Sequence, residues 1–499
     1  MINPNEAFED ELYFQYLKDR NSVNPAWRDY FDKMNGSSVV PIEERSDAPS
    51  TQTTSNTFQD EDINLGDDEE LVALSNISSR IAENMQESLS VPTATSIRSI
   101  PVKALDENRK IINKYLLKQR RKKVSFTHII LWAMVKALQK YPQLNDTYTV
   151  KDGKPHRVRR NSINIGLAVD AEKKDGTRLL MVPNLKGAQN YHFSDFIRNI
   201  DDLITKARNN KLQLDDLQGT TVSLTNPGMI GTSASVPRLM KGQGLIVAAG
   251  AIDYPVEFQS VRQEVLTTLA VSKVVTITST YDHRIIQGAE SAEFLAYLHK
   301  LLIGENRFYD QIFASLRIPF EPIRWEQDVS VRKYGLDNTR TRVEKGAHVM
   351  QMINAYRVRG HLLASVNPLG NDSYYYPELD PAYYGLTIWD LDREFPASST
   401  WEESSYPLRF IIERIRDTYC GSIGIEFMHI QDPTKKDFIK KWFELGKGKI
   451  EFTKQNRLDV LKKLIEAEQF ESFLHKKFIG QKRFSLEGSE SFIILLDRV

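Results

Sequence analysis

Apolar positions fall into helical and alternating runs separated by polar, Gly-rich and Pro-rich breaks. Residues 5–34 set Phe8, Tyr13, Tyr16, Trp27, Tyr30 and Phe31 among charged side chains, at spacings that predict two short amphipathic helices around Asn24-Pro25. Residues 1–35 therefore read as a small helical docking arm. From 36 to 70 the sequence turns to Ser, Thr, Asp and Glu, with Arg45 but no lysine, which predicts a flexible acidic linker. Leu71, Leu74, Ile77, Ile81 and Met85 then recur at helical spacing, until Val91-Pro92-Thr93 breaks the pattern ahead of an alternating stretch to Val102. Helices are predicted at 105–120, 126–140, 193–209 and 289–303, and strands at 163–169, 179–182, 220–224, 244–252 and 266–279. Short turns between many of these strands favour a mixed sheet covered by helices over a regular βαβ alternation.

The apolar run 126–138 is interrupted by His128 and Lys136 and is too short to span a bilayer, so it predicts a buried helix with His128 as a satisfied core residue. After Pro319-Phe320-Glu321-Pro322 the pattern becomes mainly helical, with a Pro-, Gly- and Tyr-rich stretch at 367–384. The predicted organisation is an α/β (α+β) domain over 71–310, followed by a mainly helical region over 311–499. The apolar stretch 492–496 carries no capping signal, which predicts that the chain is cut inside a larger domain.

Length and charge narrow the function classes. At about 150 residues per domain, 499 residues suggest two or three domains. Lys plus Arg and Asp plus Glu both number 66, which removes the global basic field expected of a nucleic-acid binder. No membrane partner is expected either. Cys420, the single cysteine, has no disulfide partner within the chain and is expected to be inert; nine scattered histidines show no metal-ligand spacing. The acidic start lacks the basic leader and apolar stretch of a secretory signal, so export is not expected.

Two segments carry chemistry. Thr278-Ser-Thr-Tyr-Asp-His-Arg-Ile-Ile-Gln-Gly-Ala-Glu290 joins an alternating strand to a helix whose Phe294, Leu295, Leu298, Leu301 and Leu302 lie on one side, which places His283 at a strand-to-helix turn. Gly219-Thr-Thr-Val-Ser-Leu-Thr-Asn-Pro-Gly-Met-Ile-Gly231 reads as a strand that ends at Thr225 in an Asn-Pro-Gly turn. Taken singly, a structural histidine and an ordinary turn threonine would explain them.

Together these segments resemble the catalytic domain of the dihydrolipoyl acyltransferases of 2-oxo acid dehydrogenase complexes, which has the chloramphenicol-acetyltransferase-like fold. The resemblance covers 72–305, with landmarks in family order: Ile81-Ala82-Glu83-Asn84-Met85, Ser88, Pro92 and Thr93; Tyr141-Pro142-Gln143-Leu144-Asn145; Asn164-Ile165-Gly166-Leu167-Ala168-Val169; Leu180-Met181-Val182-Pro183; Thr225-Asn226; and Tyr281-Asp282-His283-Arg284. It implies that His283 is the general base for a thiol attacking a thioester, that the Thr225 hydroxyl stabilises the oxyanion, and that Arg284, Gln287 and Asn226 support them. It also implies a trimer in which base and hydroxyl come from neighbouring subunits. The family usually has Asp four residues after the histidine; Gln287 stands there and adds no charge.

Coenzyme A is then a substrate, and the basic positions proposed for its phosphates are Arg120, Arg121 and Lys122 in one cluster and Arg157 and Arg159 in another. A solvated helix end and a basic hairpin turn are the bland alternatives. Because 36–70 holds no lysine to lipoylate, the acyl group is expected from the lipoyl domain of another acyltransferase, with dihydrolipoyl dehydrogenase as a further partner.

Residues 320–499 resemble the leading helical part of the 2-oxoglutarate dehydrogenase decarboxylase component, through Ala355-Tyr-Arg-Val-Arg-Gly-His-Leu362, Gly385-Leu-Thr-Ile-Trp-Asp390, Tyr419-Cys-Gly-Ser-Ile-Gly-Ile-Glu-Phe427 and Gly480-Gln-Lys-Arg-Phe-Ser-Leu-Glu-Gly488. Ser22-Val-Asn-Pro-Ala-Trp27 is similar to that component's start. An acyltransferase domain between the two resembles the cytoplasmic multifunctional 2-oxoglutarate dehydrogenase/decarboxylase of bacteria such as actinobacteria, an enzyme of the tricarboxylic acid cycle. That resemblance implies thiamin diphosphate and magnesium, held by a Gly-Asp-Gly motif absent from this sequence and therefore expected beyond residue 499. His361, in a helical Arg-Gly-His-Leu stretch, is expected to be structural. The alternative to an enzyme is a catalytically weak acyltransferase-like scaffold.

Overall fold

A computed structural model describes residues 12–13, 15–17, 19–36, 68, 70–71, 73, 82–83, 85–172, 178–209, 211–328, 338–367, 375–446, 452–480 and 488–498. Most of the acidic linker, most of the 71–85 pattern, Phe8, and residues 481–487 of the last landmark lie outside them. The chain forms two compact units, 1–338 with 371–393, and 339–370 with 394–499.

The first unit is built on a six-stranded mixed sheet in the order β1-β10-β9-β8-β4-β7. β1 (Thr93–Pro101), β10 (Val274–Asp282) and β9 (Leu245–Asp253) are long and antiparallel, whereas β8 (Val222–Thr225) runs parallel to both β9 and β4 (Ile165–Leu167). β7 (Asn184–Leu185) closes one edge. The central strands are buried and rich in β-branched and small residues, which suits strands covered by other elements. Two hairpins stand outside this sheet: β2 (Thr147–Lys151) with β3 (Lys154–Val158), and β5 (Val169–Glu172) with β6 (Arg178–Met181).

The Phe126–Lys140 helix is apolar on nearly every side and buries a continuous run from His128 to Val135, the pattern of a core helix. His128 closes its first turn: Ser125 N donates to His128 Nδ1 and His128 N donates to Ser125 Oγ, each at 3.2 Å. The Gly288–Leu302 helix buries the five apolar positions that its periodicity singles out. It is pinned to β10 by the Ser279–Ser291 hydroxyl pair at 2.9 Å.

One strand boundary differs from its expectation. The apolar alternation from 266 begins as a short helix, Gln263–Thr268, that Ala270 ends with a left-handed φ of 55°. Leu266 is buried from that helical turn, so burial there follows a helix face rather than strand alternation.

The Pro25–Gly36 helix packs into the same core. Trp27 is fully buried and its Nε1 donates to the Leu212 carbonyl at 3.2 Å, while Asn24 Oδ1 caps the helix by accepting from Trp27 N. Residues beyond 310 also join this unit, where the Asn108 side chain brackets both backbone groups of Ile323 at 2.8 Å.

The second unit is mainly helical, with helices Asn338–Arg359, Leu408–Tyr419, Pro433–Leu445, Lys454–Lys477 and Ser491–Arg498 and one small hairpin, β11 (Glu394–Pro396) with β12 (Ser405–Pro407). Its polar centre is Glu444, 1% exposed, whose carboxylate accepts from Arg357 Nε and Tyr419 OH at 2.8 Å, Ser398 Oγ at 3.0 Å, Trp401 Nε1 at 3.1 Å, and Thr400. Cys420 is buried in the same unit, its Sγ 3.4 Å from the Gly360 carbonyl. Burial alone would raise the Glu444 pKa, but Arg357, Thr400 and Tyr419 hold it below the ordinary carboxylate value.

Glu444→Ala should therefore lower the stability of this unit by about 3–5 kcal/mol in denaturant unfolding, because it leaves the Arg357 guanidinium buried and unpaired. A depressed pKa means that the unfolded state binds the proton more readily. The stabilisation from Glu444 should be complete above pH about 4.3 and lost as pH falls below it, and in Glu444→Ala this part of the acid dependence should vanish.

Candidate active site

His283 follows the last residue of β10, at the turn into the Gly288–Leu302 helix. Its amide donates to the Pro92 carbonyl at 2.9 Å, at the register point where Thr93 of β1 faces Asp282. The ring is exposed, stands edge-on to Tyr281 at 5.7 Å between centroids, and places Nδ1 3.1 Å from the Ile286 carbonyl oxygen. A carbonyl oxygen only accepts, so Nδ1 carries the proton and Nε2 of the neutral ring is free to take one. A backbone group thus fixes the tautomer that a general base needs.

Gln287, the position at which the family's charge is missing, caps the next helix, where its backbone N–H donates to Glu290 Oε2 at 2.8 Å. Arg284 turns back onto the buried Asp282 carboxylate, with Nε at 2.9 Å and Nη2 at 2.7 Å, and Arg284 N also donates to Asp282 Oδ1 at 3.0 Å. The guanidinium carbon lies 3.9 Å above the Tyr148 ring. Hydrogen bonds to the Asp282 carboxylate raise the Arg284 pKa further.

Thr225 ends β8 and is half-buried. The following Asn226 anchors the turn by donating from Nδ2 to Thr127 Oγ1 at 2.9 Å, in the capped first turn of the Phe126–Lys140 helix. Gly228 lets that turn lie directly on β9: a Cβ built there would stand 2.2 Å from the Gly250 carbonyl carbon.

The sheet does not bring His283 and Thr225 together. Thr225 is level with Ala248 of β9, and Ala248 is level with Thr278 of β10, four residues before Asp282 and five before the base. At about 3.3 Å per residue along the strand and two inter-strand spacings of about 4.8 Å, their backbones stand roughly 19 Å apart. Among the described residues no hydrogen bond joins the two.

The two basic clusters lie on separate elements. Arg120, Arg121 and Lys122 are exposed in the loop that leads to the helix holding Thr127, with Arg120 in a left-handed turn at φ 55°. Arg157 lies on β3 directly opposite Tyr148, on the His283 side, with its Nε 3.9 Å from Asp146 Oδ2; Arg159 follows, exposed. Tyr148, Thr127 and the Ile286 carbonyl did not emerge from sequence. Asp152-Gly153, both with positive φ at the hairpin tip, is the signal that would have placed Tyr148 on a strand. Among the described residues no group of His, Cys, Asp and Glu is arranged to hold a metal, and no helix is long and apolar enough to cross a membrane.

Residues 66–308 match the family described as 2-oxoacid dehydrogenases acyltransferase (catalytic domain), and residues 3–38 match the 2-oxoglutarate dehydrogenase N-terminus. The chain is similar to a multifunctional 2-oxoglutarate metabolism enzyme of Mycolicibacterium vanbaalenii, 45% identical over 87% of this chain and 34% of that protein. It is also similar to a 2-oxoglutarate dehydrogenase E1/E2 component of Corynebacterium glutamicum, 40% identical over 98% of this chain and 42% of that protein. The chain therefore spans between a third and a half of the length of these curated relatives. A solved structure, a probable dihydrolipoamide acetyltransferase from Listeria monocytogenes, is 25% identical with a TM-score of 0.41, covering 47% of this chain and 94% of that one. Residues 66–308 are thus a 2-oxoacid dehydrogenase acyltransferase catalytic domain, in a chain that is similar over most of its length to multifunctional 2-oxoglutarate enzymes.

Proposed function

We propose that this chain transfers a succinyl group between dihydrolipoyl and coenzyme A thiols within a 2-oxoglutarate dehydrogenase system of the tricarboxylic acid cycle. The observation that carries this reading is the His283 ring, locked by the Ile286 carbonyl with Nε2 as its unprotonated nitrogen. The attacking thiol gives its proton to Nε2 as its sulfur bonds to the thioester carbonyl carbon. The Thr225 hydroxyl of a neighbouring copy donates to the tetrahedral oxyanion; when the intermediate collapses, the other thiolate leaves and takes the proton back from the imidazolium. Three copies in a cyclic arrangement give three equivalent meetings of base and hydroxyl.

In this arrangement the basic clusters of the two half-sites, Arg120, Arg121 and Lys122 from one copy and Arg157 and Arg159 from the next, flank one entrance and attract the coenzyme's phosphates. Residues 1–35 serve as the docking arm, 36–70 as the linker, 71–310 as the acyltransferase domain and 311–499 as the leading part of the decarboxylase component. The acyl group arrives on the lipoyl domain of another acyltransferase, dihydrolipoyl dehydrogenase reoxidises the arm, and the assembly works in the cytoplasm. No Gly-Asp-Gly stands in the sequence to hold thiamin diphosphate and magnesium, so no step of the decarboxylation is assigned to these residues. Gln287 favours a second reading, a scaffold in which the imidazolium lacks a stabilising charge.

Exchange between succinyl-CoA and dihydrolipoamide decides between the two. His283→Ala should lose about a hundredfold to ten-thousandfold in rate, and Thr225→Val about a hundredfold; an unchanged rate in folded variants overturns these assignments, and no exchange by the unaltered chain favours the scaffold. Light scattering of the whole chain should give a trimer, and a monomer at micromolar concentration contradicts the shared site. Reversing the charges at Arg157 and Arg159, or at Arg120 and Arg121, should raise KM for the coenzyme and weaken its salt dependence while sparing dihydrolipoamide.

A further inference from the structure

The β2–β3 hairpin is exposed along almost its whole length, yet it is fixed at two points that both lead to Asp282. At its root, Gly244 lacks the Cβ that would otherwise stand 2.3 Å from the Asp146 carbonyl oxygen, and the Gly244 carbonyl accepts from Asp282 N at 3.2 Å. One residue into β2, the Tyr148 ring lies under the Arg284 guanidinium at 3.9 Å. Arg284 in turn holds Asp282 with two side-chain hydrogen bonds, and Asp282 is the knot of the base-bearing turn. Its carbonyl accepts from Ile285 N and Ile286 N, at 3.2 and 3.0 Å, and its carboxylate accepts from Arg284 N. Ile286 then supplies the carbonyl that orients His283.

Each link here is short and directional, whereas His283 itself is solvent-exposed and its ring stands edge-on to Tyr281. We propose that Tyr148 is a positioning residue for the acyl-transfer reaction: the face of its ring holds Arg284, and through the Arg284–Asp282 pair it holds the turn that presents His283. The register adds a consequence. Arg157 is paired directly with Tyr148 and shares its face of the hairpin, so a phosphate bound at Arg157 would lie beside the first residue of this chain of contacts. The positioning role rests on the reading of His283 as the base, but the physical coupling does not.

The test uses the whole chain and separates the two. Hydrogen–deuterium exchange of a peptide covering 281–287 reads the turn directly, and succinyl exchange reads its consequence. Tyr148→Leu, which keeps an apolar side chain but removes the π face, should speed exchange in that peptide and lower kcat by about tenfold, with KM for dihydrolipoamide little changed. Tyr148→Phe keeps the face and should restore both measurements. Arg284→Lys, which loses the planar two-pronged grip on Asp282, should behave as Tyr148→Leu does. The proposal is overturned if Tyr148→Leu leaves either the exchange or kcat unchanged, or if Tyr148→Phe is as impaired as Tyr148→Leu, since the hydroxyl rather than the ring face would then be at work. If exchange and kcat respond as stated while His283→Ala keeps full activity, the coupling stands and the general-base assignment fails.

Discussion

The hydrogen-bond register across β8, β9 and β10 decides what one copy of this chain can do. Ala248 of β9 stands level with Thr225 on one side and Thr278 on the other, so the hydroxyl is committed to a level four strand residues short of Asp282. Sliding the strands by that amount would break their paired hydrogen bonds and carry them through registers that turn buried faces outward, because a slip of one residue exchanges the two faces of a strand. The separation of base and hydroxyl is therefore as rigid as the core of the domain. The proposed catalysis must bridge it with a second copy, which gives association a chemical purpose beyond stability.

Each of the two proposed half-sites is held by its own set of contacts. On one side, a helix whose first turn is closed by Ser125 and His128 presents Thr127 to Asn226 and so fixes the residue after the hydroxyl. On the other, backbone carbonyls and an ion pair with a buried carboxylate hold an exposed imidazole in a single tautomer. The Ile286 carbonyl also changes the meaning of Gln287. Orientation of the ring at Nδ1 does not depend on a charged side chain at that position, so what Gln287 removes is negative potential near the imidazolium, an effect on rate rather than on geometry.

Much of this was legible in the chain and some of it was not, for physical reasons. The Gly288–Leu302 helix was legible because Phe294, Leu295, Leu298, Leu301 and Leu302 share one buried face. His283 and Thr225 stood out as candidates because each sits in a run of residues that resembles a landmark of the family. The β2–β3 hairpin was obscure because β3 is exposed at every position and shows no alternation; its Asp-Gly tip carried the only local signal. The start of β10 was misplaced because apolar residues at 266–273 serve a helical turn and a left-handed break before the strand begins. The Ile286 carbonyl and the strand register had no sequence signature at all. One is a backbone group that every residue possesses, and the other is a pairing between segments tens of residues apart.

Complementation between two inactive variants tests the shared site most directly. His283→Ala and Thr225→Val chains, each nearly inactive alone, are dissociated, mixed in equal amounts and reassociated, and succinyl exchange is then measured. In a cyclic trimer with one base and one hydroxyl from adjacent copies, random mixing leaves about one interface in four with both wild-type groups, so activity should return to about a quarter of the wild-type value. If the mixture stays at the level of the separate variants although subunits have exchanged, base and hydroxyl do not act across the interface and the account is wrong.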